Sequence, residues 1–326
     1  MTDMADSASR SRLVRGGKGS VVPAAEVRTY YDRPVIKEPV WTWEIPWYFW
    51  TGGIAGGSAV LTGIATVTGR HELARVARRV GVAALVPSPV LLIMDLGRPE
   101  RFHHMLRVVK PTSPMSVGSW TLIAFSAVQG GAWLLAELGW LPRVRALADA
   151  VAGVLGSVMA TYTAVLFSDT AVPVWHEARR ELPVVFAAGA AASAGAAVWL
   201  VGGDVADPAR RLAIGGAVAE LVAVEAMEHR LGELAEPYRR EDARRYARAA
   251  KWLAGAGAAV TMFGRRRPLV RAAGAALTLG AALCERWAVF RAGFISARDP
   301  RYTVGPQRAR ADARARPPDG TDETAN

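Results

Sequence analysis

The stretch that decides the fold is residues 41–67, WTWEIPWYFWTGGIAGGSAVLTGIATV, in which Glu44 is the only charged residue. A helix rises about 1.5 Å per residue, so a helix over this stretch reaches across a hydrocarbon layer of roughly 30 Å. Tryptophans gather at its beginning, as in the aromatic belts of membrane–water interfaces: Trp41, Trp43, Trp47 and Trp50. We therefore predict a first membrane span over residues 45–68. Gly53 and Gly57 within it predict a face on which helices pack closely.

Seven further apolar stretches follow the first one. Most approach the 17–25 residues that a helix needs to cross a bilayer, and the seventh is cut short by the arginines at 265–267. The prediction is an all-α integral membrane protein with eight transmembrane helices in two four-helix bundles, multi-pass in the cell membrane. We place a polar, largely disordered arm at 1–40, the membrane domain at 41–296 and a polar tail at 297–326. The seven further spans are predicted at 73–94, 117–138, 150–167, 183–201, 212–227, 252–263 and 269–292.

The charge distribution excludes several classes of protein. The formal net charge is +11 and charged residues make up 21% of the chain, but they crowd into the two ends and between the apolar stretches. Arginines in that position interact with lipid headgroups, so we expect no nucleic-acid partner. The single cysteine, Cys284, excludes an internal disulfide or a cysteine-ligated iron–sulfur cluster. The five histidines lie in predicted loops or at span ends, which argues against a haem or metal site.

An even number of spans places both chain ends on one side of the membrane, which we call the tail side. The predicted loops there are 95–116, 168–182 and 228–251, and they hold thirteen Lys and Arg residues against eleven in the opposite loops. This difference is too small to orient the protein by the positive-inside rule. The tail-side loops are longer and mix His, Trp and acidic residues with the basic ones, so we expect function on that side.

Polar groups near the tail side are the functional candidates. Glu44 and Tyr48 stand one helical turn apart, Asp95 ends the second span, and Tyr162 precedes Asp169 in the fourth. If the first four helices form a bundle, these groups converge on a pocket with apolar walls. Simpler interpretations remain open: Glu44 as a helix-entry acid, Tyr48 as a belt aromatic, Asp95 paired with Arg98, and solvated His103 and His104.

Acidic residues in and beside the sixth span form a second group of candidates. Glu220 lies near the predicted middle of the membrane, with Glu225 and Glu228 towards its end. A carboxyl group at that depth needs a partner or a bound proton, and buried acids often line proton paths. A proton-translocating or purely structural anchor is therefore the alternative function. A small-molecule transporter is a weaker option, because no inverted repeat is visible.

Four segments in order resemble the NrfD / polysulfide reductase membrane-subunit family, also called PsrC-like. The resemblance implies an eight-helix anchor without haem, metal or iron–sulfur cluster. Such a subunit exchanges electrons between membrane quinone, menaquinone or ubiquinone, and a ferredoxin-like iron–sulfur subunit, which connects to a molybdopterin catalytic subunit. It holds no catalytic centre of its own. The segments are WEIPWYFWTGGIAGG (43–57), DLGRPERFHHMLRVVKPTSPMSVGSW (95–120), TYTAVLFSDTAVPVWHEAR (161–179) and GFISARDPRYTVGPQR (293–308).

The resemblance also assigns roles to residues of this chain. Tyr48 falls where the family can place a His near the quinone, Tyr162 matches a family Tyr, and Ile45 replaces an Asn of some members. We expect quinone contacts from Glu44, Tyr48, Asp95 and Tyr162. We expect proton transfer through Glu44, Asp95, Asp169 and Glu220, and partner docking by Arg98, Arg101, His103, Trp175 and His176.

Overall fold

The computed structural model describes residues 35–107, 109–263 and 267–307. Most of the predicted arm and tail, together with Arg265 and Arg266, lies outside these residues. Residues 36–298 form one unit, and the described part of the other unit is helical at 301–307. The helices of the main unit are α1 Glu44–Val67, α2 His71–Leu85, α3 Pro87–Met94, α4 Pro114–Leu138, α5 Pro142–Ser168, α6 Pro173–Glu177, α7 Leu182–Gly202, α8 Asp207–Leu231, α9 Glu241–Phe263 and α10 Pro268–Arg298.

The all-helical membrane class is confirmed. Within the described residues, five helical segments are long and apolar enough to cross a membrane: His71–Met94, Pro114–Leu138, Pro142–Ser168, Leu182–Arg239 and Pro268–Arg298. The fourth of these contains both α7 and α8. The helices α1 and α9 are also of spanning length, with 24 and 23 residues, so a total of eight spans stays a prediction. The first of these segments, His71–Met94, is interrupted at Val86, between α2 and α3, where Pro87 cannot continue the hydrogen-bond ladder.

Small residues bring α1 close to two neighbouring helices. A Cβ atom on Gly57 would lie 2.8 Å from the carbonyl oxygen of Ala190 in α7, and Gly53 faces the same residue. The predicted glycine pair is thus a packing face. On another side of α1, a Cβ on Gly56 would lie 2.4 Å from the carbonyl oxygen of Gly156 in α5. Packing of this kind associates helices where lipid supplies no hydrophobic drive.

The helices extend further into the predicted loops than hydropathy indicates. The predicted loop at 228–251 is wrong in its bounds, because α8 continues to Leu231, a 3₁₀ segment covers Gly232–Arg239 and α9 begins at Glu241. One of the predicted loops on the opposite side, at 69–79, is likewise mostly α2. Helices that protrude from a membrane carry charged residues on their ends, so the apolar stretch marks only the part of each helix in lipid.

A buried ion pair ties α2 to α5 near the end of α1 that is opposite Glu44, and we call this side of the helices the far side. The guanidinium of Arg78 donates to both carboxylate oxygens of Asp149, at 2.8 and 2.5 Å, and both side chains are at most 5% exposed. The Thr66 hydroxyl at the end of α1 donates to the same carboxylate at 3.0 Å. These bonds hold three helix ends together and satisfy charges that lipid could not.

Candidate functional site

Two tyrosines lie next to each other between α1, α4 and α5. Tyr48 is fully buried and Tyr162 is 7% exposed, and their phenol groups interact electrostatically. Tyr162 fits there because α4 has a glycine opposite it: a Cβ atom on Gly118 would lie 2.0 Å from the Tyr162 hydroxyl. The structure therefore brings together two predicted site residues that are 114 positions apart in the chain.

The Tyr48 hydroxyl is buried and has no hydrogen bond of acceptable geometry to any described residue. Leaving a buried hydroxyl unsatisfied costs free energy, so a native protein usually provides a partner. Tyr48 belongs to a large apolar core cluster, which also contains Leu122 and Phe125 of α4. The arrangement offers a hydrogen-bond donor in an apolar setting, which suits a ligand with a carbonyl oxygen on an apolar ring.

Two acidic residues converge beside α1, as predicted from the sequence. Glu44 and Asp95 share one partner, Thr42, whose hydroxyl hydrogen-bonds Glu44 and donates to Asp95 at 3.2 Å. The Thr42 backbone N–H also donates to Asp95, at 2.9 Å. Asp95 thus bonds to Thr42, where a pair with Arg98 was the simpler interpretation.

The environment of Asp95 changes the pKa of its carboxyl. Burial raises the pKa of the Asp95 carboxyl above its ordinary value; the Glu44 carboxylate adds to the rise, and the two hydrogen bonds from Thr42 oppose it. Asp95 therefore takes up a proton at a higher pH than an exposed aspartate. A carboxyl group with such a shift can hold and release protons close to a reaction site.

Trp175 does not fit the predicted role in partner docking. It is fully buried, its indole N–H donates to the Val289 carbonyl oxygen at 2.7 Å, and its ring stacks on Phe167 at 4.2 Å between centroids. The ring of Trp41 also stacks against the ring of Trp175, with 5.7 Å between their centroids. Gly293 leaves the space that the Trp175 ring occupies. An amphipathic Trp buries its large apolar ring where the chain supplies an acceptor for its N–H, so this side chain belongs to the core.

The other docking candidates are exposed. Arg98, Arg101 and His103 lie in or next to the 3₁₀ segment Pro99–Leu106, which contains no buried residue. His176 is exposed beside the end of α5, where its Nδ1 lies 3.2 Å from the Ser168 carbonyl oxygen. Asp169 is also exposed at the end of α5, and no described residue connects it to Tyr162. Its predicted part in proton transfer has no structural link to the tyrosines.

Glu220 lies in α8, and its partner is Arg286 of α10. The Arg286 guanidinium donates to its carboxylate at 3.4 Å and to the Phe186 carbonyl oxygen at 3.0 Å, and it stands 4.0 Å from the centre of the Phe186 ring. The neighbouring Glu285 is 3% exposed, and one of its carboxylate oxygens has no hydrogen-bond partner in the described part of the chain. No hydrogen bond among the described residues joins this group to the tyrosines, but ring contacts lie between them: Phe186 packs against Phe49, and Phe49 packs against Tyr48.

Sequence reasoning missed several residues of these groups. Glu285 and Arg286 were detectable, because two charges in a row interrupt the predicted span 269–292. The sequence did not indicate a role for Gly118 or Thr42, since their roles depend on which side chains face them in the folded protein. Within residues 35–107, 109–263 and 267–307, no three His, Cys, Asp or Glu side chains cluster closely enough to hold a metal ion.

A family profile described as "Polysulphide reductase, NrfD" matches residues 34–208, more than half of the chain. The chain therefore belongs to the NrfD family, and it is a multi-pass membrane subunit of a redox complex. No curated protein matches it. The matched region contains Glu44, Tyr48, Asp95 and Tyr162 but not Glu220, nor the segment 293–308 that also carried the resemblance.

Proposed function

We propose that this subunit exchanges electrons between membrane quinone or quinol and a peripheral ferredoxin-like iron–sulfur subunit, which serves a molybdopterin enzyme. The observation that carries the proposal is the pair of neighbouring buried phenols, Tyr48 and Tyr162, in which the Tyr48 hydroxyl has no hydrogen bond of acceptable geometry to a described residue. Membership in a family of redox-complex membrane subunits supports the same chemistry.

The residues of this site have two proposed roles, quinone binding and proton transfer. The phenols of Tyr48 and Tyr162 donate hydrogen bonds to the carbonyl oxygens of the quinone and orient its ring. Quinone reduction takes up two protons with two electrons, so the site needs groups that supply protons. Glu44 and Asp95 hold such protons, and Thr42, which bonds to both, connects them. Asp95 is suited to this because burial raises the pKa of its carboxyl.

The exposed tail-side segment 98–103 is the docking surface that we propose for the iron–sulfur subunit. It presents Arg98, Arg101 and His103 to solvent directly after Asp95. Electrons from a cluster in that partner would then reach the quinone without any redox centre in this chain. Basic residues on a rim steer an acidic partner to the surface and set its orientation.

Tyr48→Phe is the direct test of this proposal. The variant keeps the ring and removes only the hydroxyl, so we expect quinone-linked turnover of the assembled complex to fall by about tenfold. Tyr162→Phe should lower it as well. The partner enzyme's reaction with a soluble dye should not change, because the dye bypasses the quinone.

The matched control is Tyr246→Phe, at a half-buried tyrosine of α9 that stacks on Trp287. Full quinone activity in both site variants would contradict the assignment.

Proton translocation is the second candidate function, and the buried acidic residues of α8 and α10 favour it. Glu285 has an unsatisfied carboxylate oxygen next to the Glu220–Arg286 pair, and it interacts electrostatically with Glu228 near the end of α8. Glu228 in turn pairs with Lys251 at 2.8 Å. Buried acids arranged in this way can pass protons along a membrane protein.

Glu285→Gln tests translocation. In proteoliposomes that contain the assembled complex, we expect the variant to lose most of the quinone-driven pH change while quinone turnover persists. Glu233→Gln is the matched control, because Glu233 is exposed in the same part of the chain. An unchanged pH signal in Glu285→Gln would exclude this residue from a proton path.

A further inference from the structure

A basic cavity lies between the ends of α1, α2, α4 and α5 on the far side of the protein. Its volume is about 190 Å³. Its walls carry four arginines and one histidine, but only one of the lining residues is acidic. These residues are His71, Arg75, Arg78, Arg79, Glu137 and Arg145.

Arg145 is the arginine of this cavity that has no counter-charge within the described part of the chain. Three of the arginines have carboxylate partners: Arg78 binds Asp149, Arg79 binds Glu137 at 2.8 Å, and Arg75 binds Glu72 at 2.8 Å. The side chain of Arg145 forms no ion pair with a described residue, and its buried Nε has no hydrogen-bond partner among them. A guanidinium with a free N–H and a fixed planar fork suits an anion that offers several oxygen atoms.

The position of the cavity indicates where such an anion comes from. It opens at the end of α1, the beginning of α2, the end of α4 and the beginning of α5, next to the ends of the first four predicted spans. Trp140, between α4 and α5, is 62% exposed, as expected for an aromatic residue at the headgroup level. Leu134 and Leu147 on the same two helices are 50% and 66% exposed and face lipid rather than the protein core.

We propose that this cavity binds the phosphate of an anionic phospholipid headgroup through Arg145, with Arg75 and His71 at its rim. The lipid's phosphate diester provides the oxygen acceptors, and its acyl chains lie against the exposed apolar surface of α4 and α5. Basic pockets between transmembrane helices are a known kind of site for anionic lipids. The site is independent of the tyrosines, which lie at the other ends of α1 and α5.

The test measures lipid binding to the full-length protein in neutral detergent, by native mass spectrometry and by titration into nanodiscs. The probes are phosphatidylglycerol, phosphatidylcholine and inorganic phosphate. We expect wild type to retain phosphatidylglycerol in preference to phosphatidylcholine. Arg145→Gln should weaken phosphatidylglycerol binding about tenfold, because it removes a charged hydrogen-bond donor.

The matched control is Arg143→Gln. Arg143 is an exposed arginine at the beginning of the same helix, and it does not line the cavity. The Arg143→Gln variant should change lipid binding less than about twofold, because an exposed surface charge contributes little to binding. Equal losses in the two variants, or equal binding of both lipids to wild type, would overturn the proposal. Displacement of phosphatidylglycerol by inorganic phosphate alone would also overturn it and indicate a site for a soluble anion.

Misfolding of Arg145→Gln is separated from loss of the site in two ways. Thermal unfolding in phosphatidylcholine, which lacks the anionic headgroup, should match wild type. Arg145→Lys keeps the charge but loses the planar fork, so its affinity should fall between wild type and Arg145→Gln. If Arg145→Lys binds the lipid no better than Arg145→Gln, the guanidinium–phosphate contact is refuted.

Discussion

Asp149→Ala is expected to lower the free energy of unfolding in detergent by about 3–5 kcal/mol, the cost of leaving a buried charge without its partner. The Arg78 guanidinium would then keep its charge in a site where it is only 5% exposed, and the Thr66 hydroxyl would lose its acceptor. Denaturant unfolding of the purified protein, followed by tryptophan fluorescence, measures the loss.

Two comparisons separate a buried-charge effect from the loss of any ion pair. Glu137→Ala removes the partner of Arg79 in an exposed pair on the same side of the protein, and its effect should be much smaller, because water and salt replace the partner. The double variant Arg78→Met, Asp149→Leu removes both charges and should recover most of the lost stability. If Asp149→Ala destabilises no more than Glu137→Ala, the pair does not stabilise the helix ends as the structure indicates.

Gly118→Ala is expected to reduce quinone-linked turnover by about a hundredfold, which is the effect of a small misplacement of a positioning group. The expectation depends on the proposed quinone site. The new methyl group would lie 2.0 Å from the Tyr162 hydroxyl and 2.1 Å from the carbon that bears it, so the ring must move. Tyr162 is buried, so it has no open space to move into. The loss should appear as lower turnover, with the protein still assembled in its complex.

Gly130→Ala is the control for this variant. Gly130 lies on the same helix, and a Cβ atom there would meet nothing within 4 Å. Alanine is the better helix former, so both substitutions favour α4 itself by about 0.5–1 kcal/mol relative to glycine. A difference between them therefore reports on Tyr162. If Gly118→Ala keeps full quinone turnover, the position of Tyr162 does not matter for the reaction.

Local spacing was enough to predict part of the candidate site. Glu44 and Tyr48 share a helix face because they are four residues apart, and Asp95 was placed at the same membrane side by counting spans. The link between the two acids was not predictable, since it runs through Thr42, whose hydroxyl could point anywhere in an exposed segment. The burial of Trp175 was not predictable for a related reason: the polar residues His176 and Glu177 follow it in the sequence, but its neighbours in space are Phe167 and Gly293.

The sequence by itself determined the membrane class, the approximate position of each helix and the family, because apolar length is a local property that lipid enforces on every segment. The tertiary structure decided how far each helix extends beyond the lipid and which polar groups meet inside it. Arg78 with Asp149, Arg286 with Glu220 and Tyr48 with Tyr162 each join helices that are distant in the chain. Which residues face each other depends on how each helix is rotated and how deep it lies in the bundle. Glycines such as Gly56 and Gly118 determine this rotation and depth through close steric contacts, which cannot be read from hydropathy.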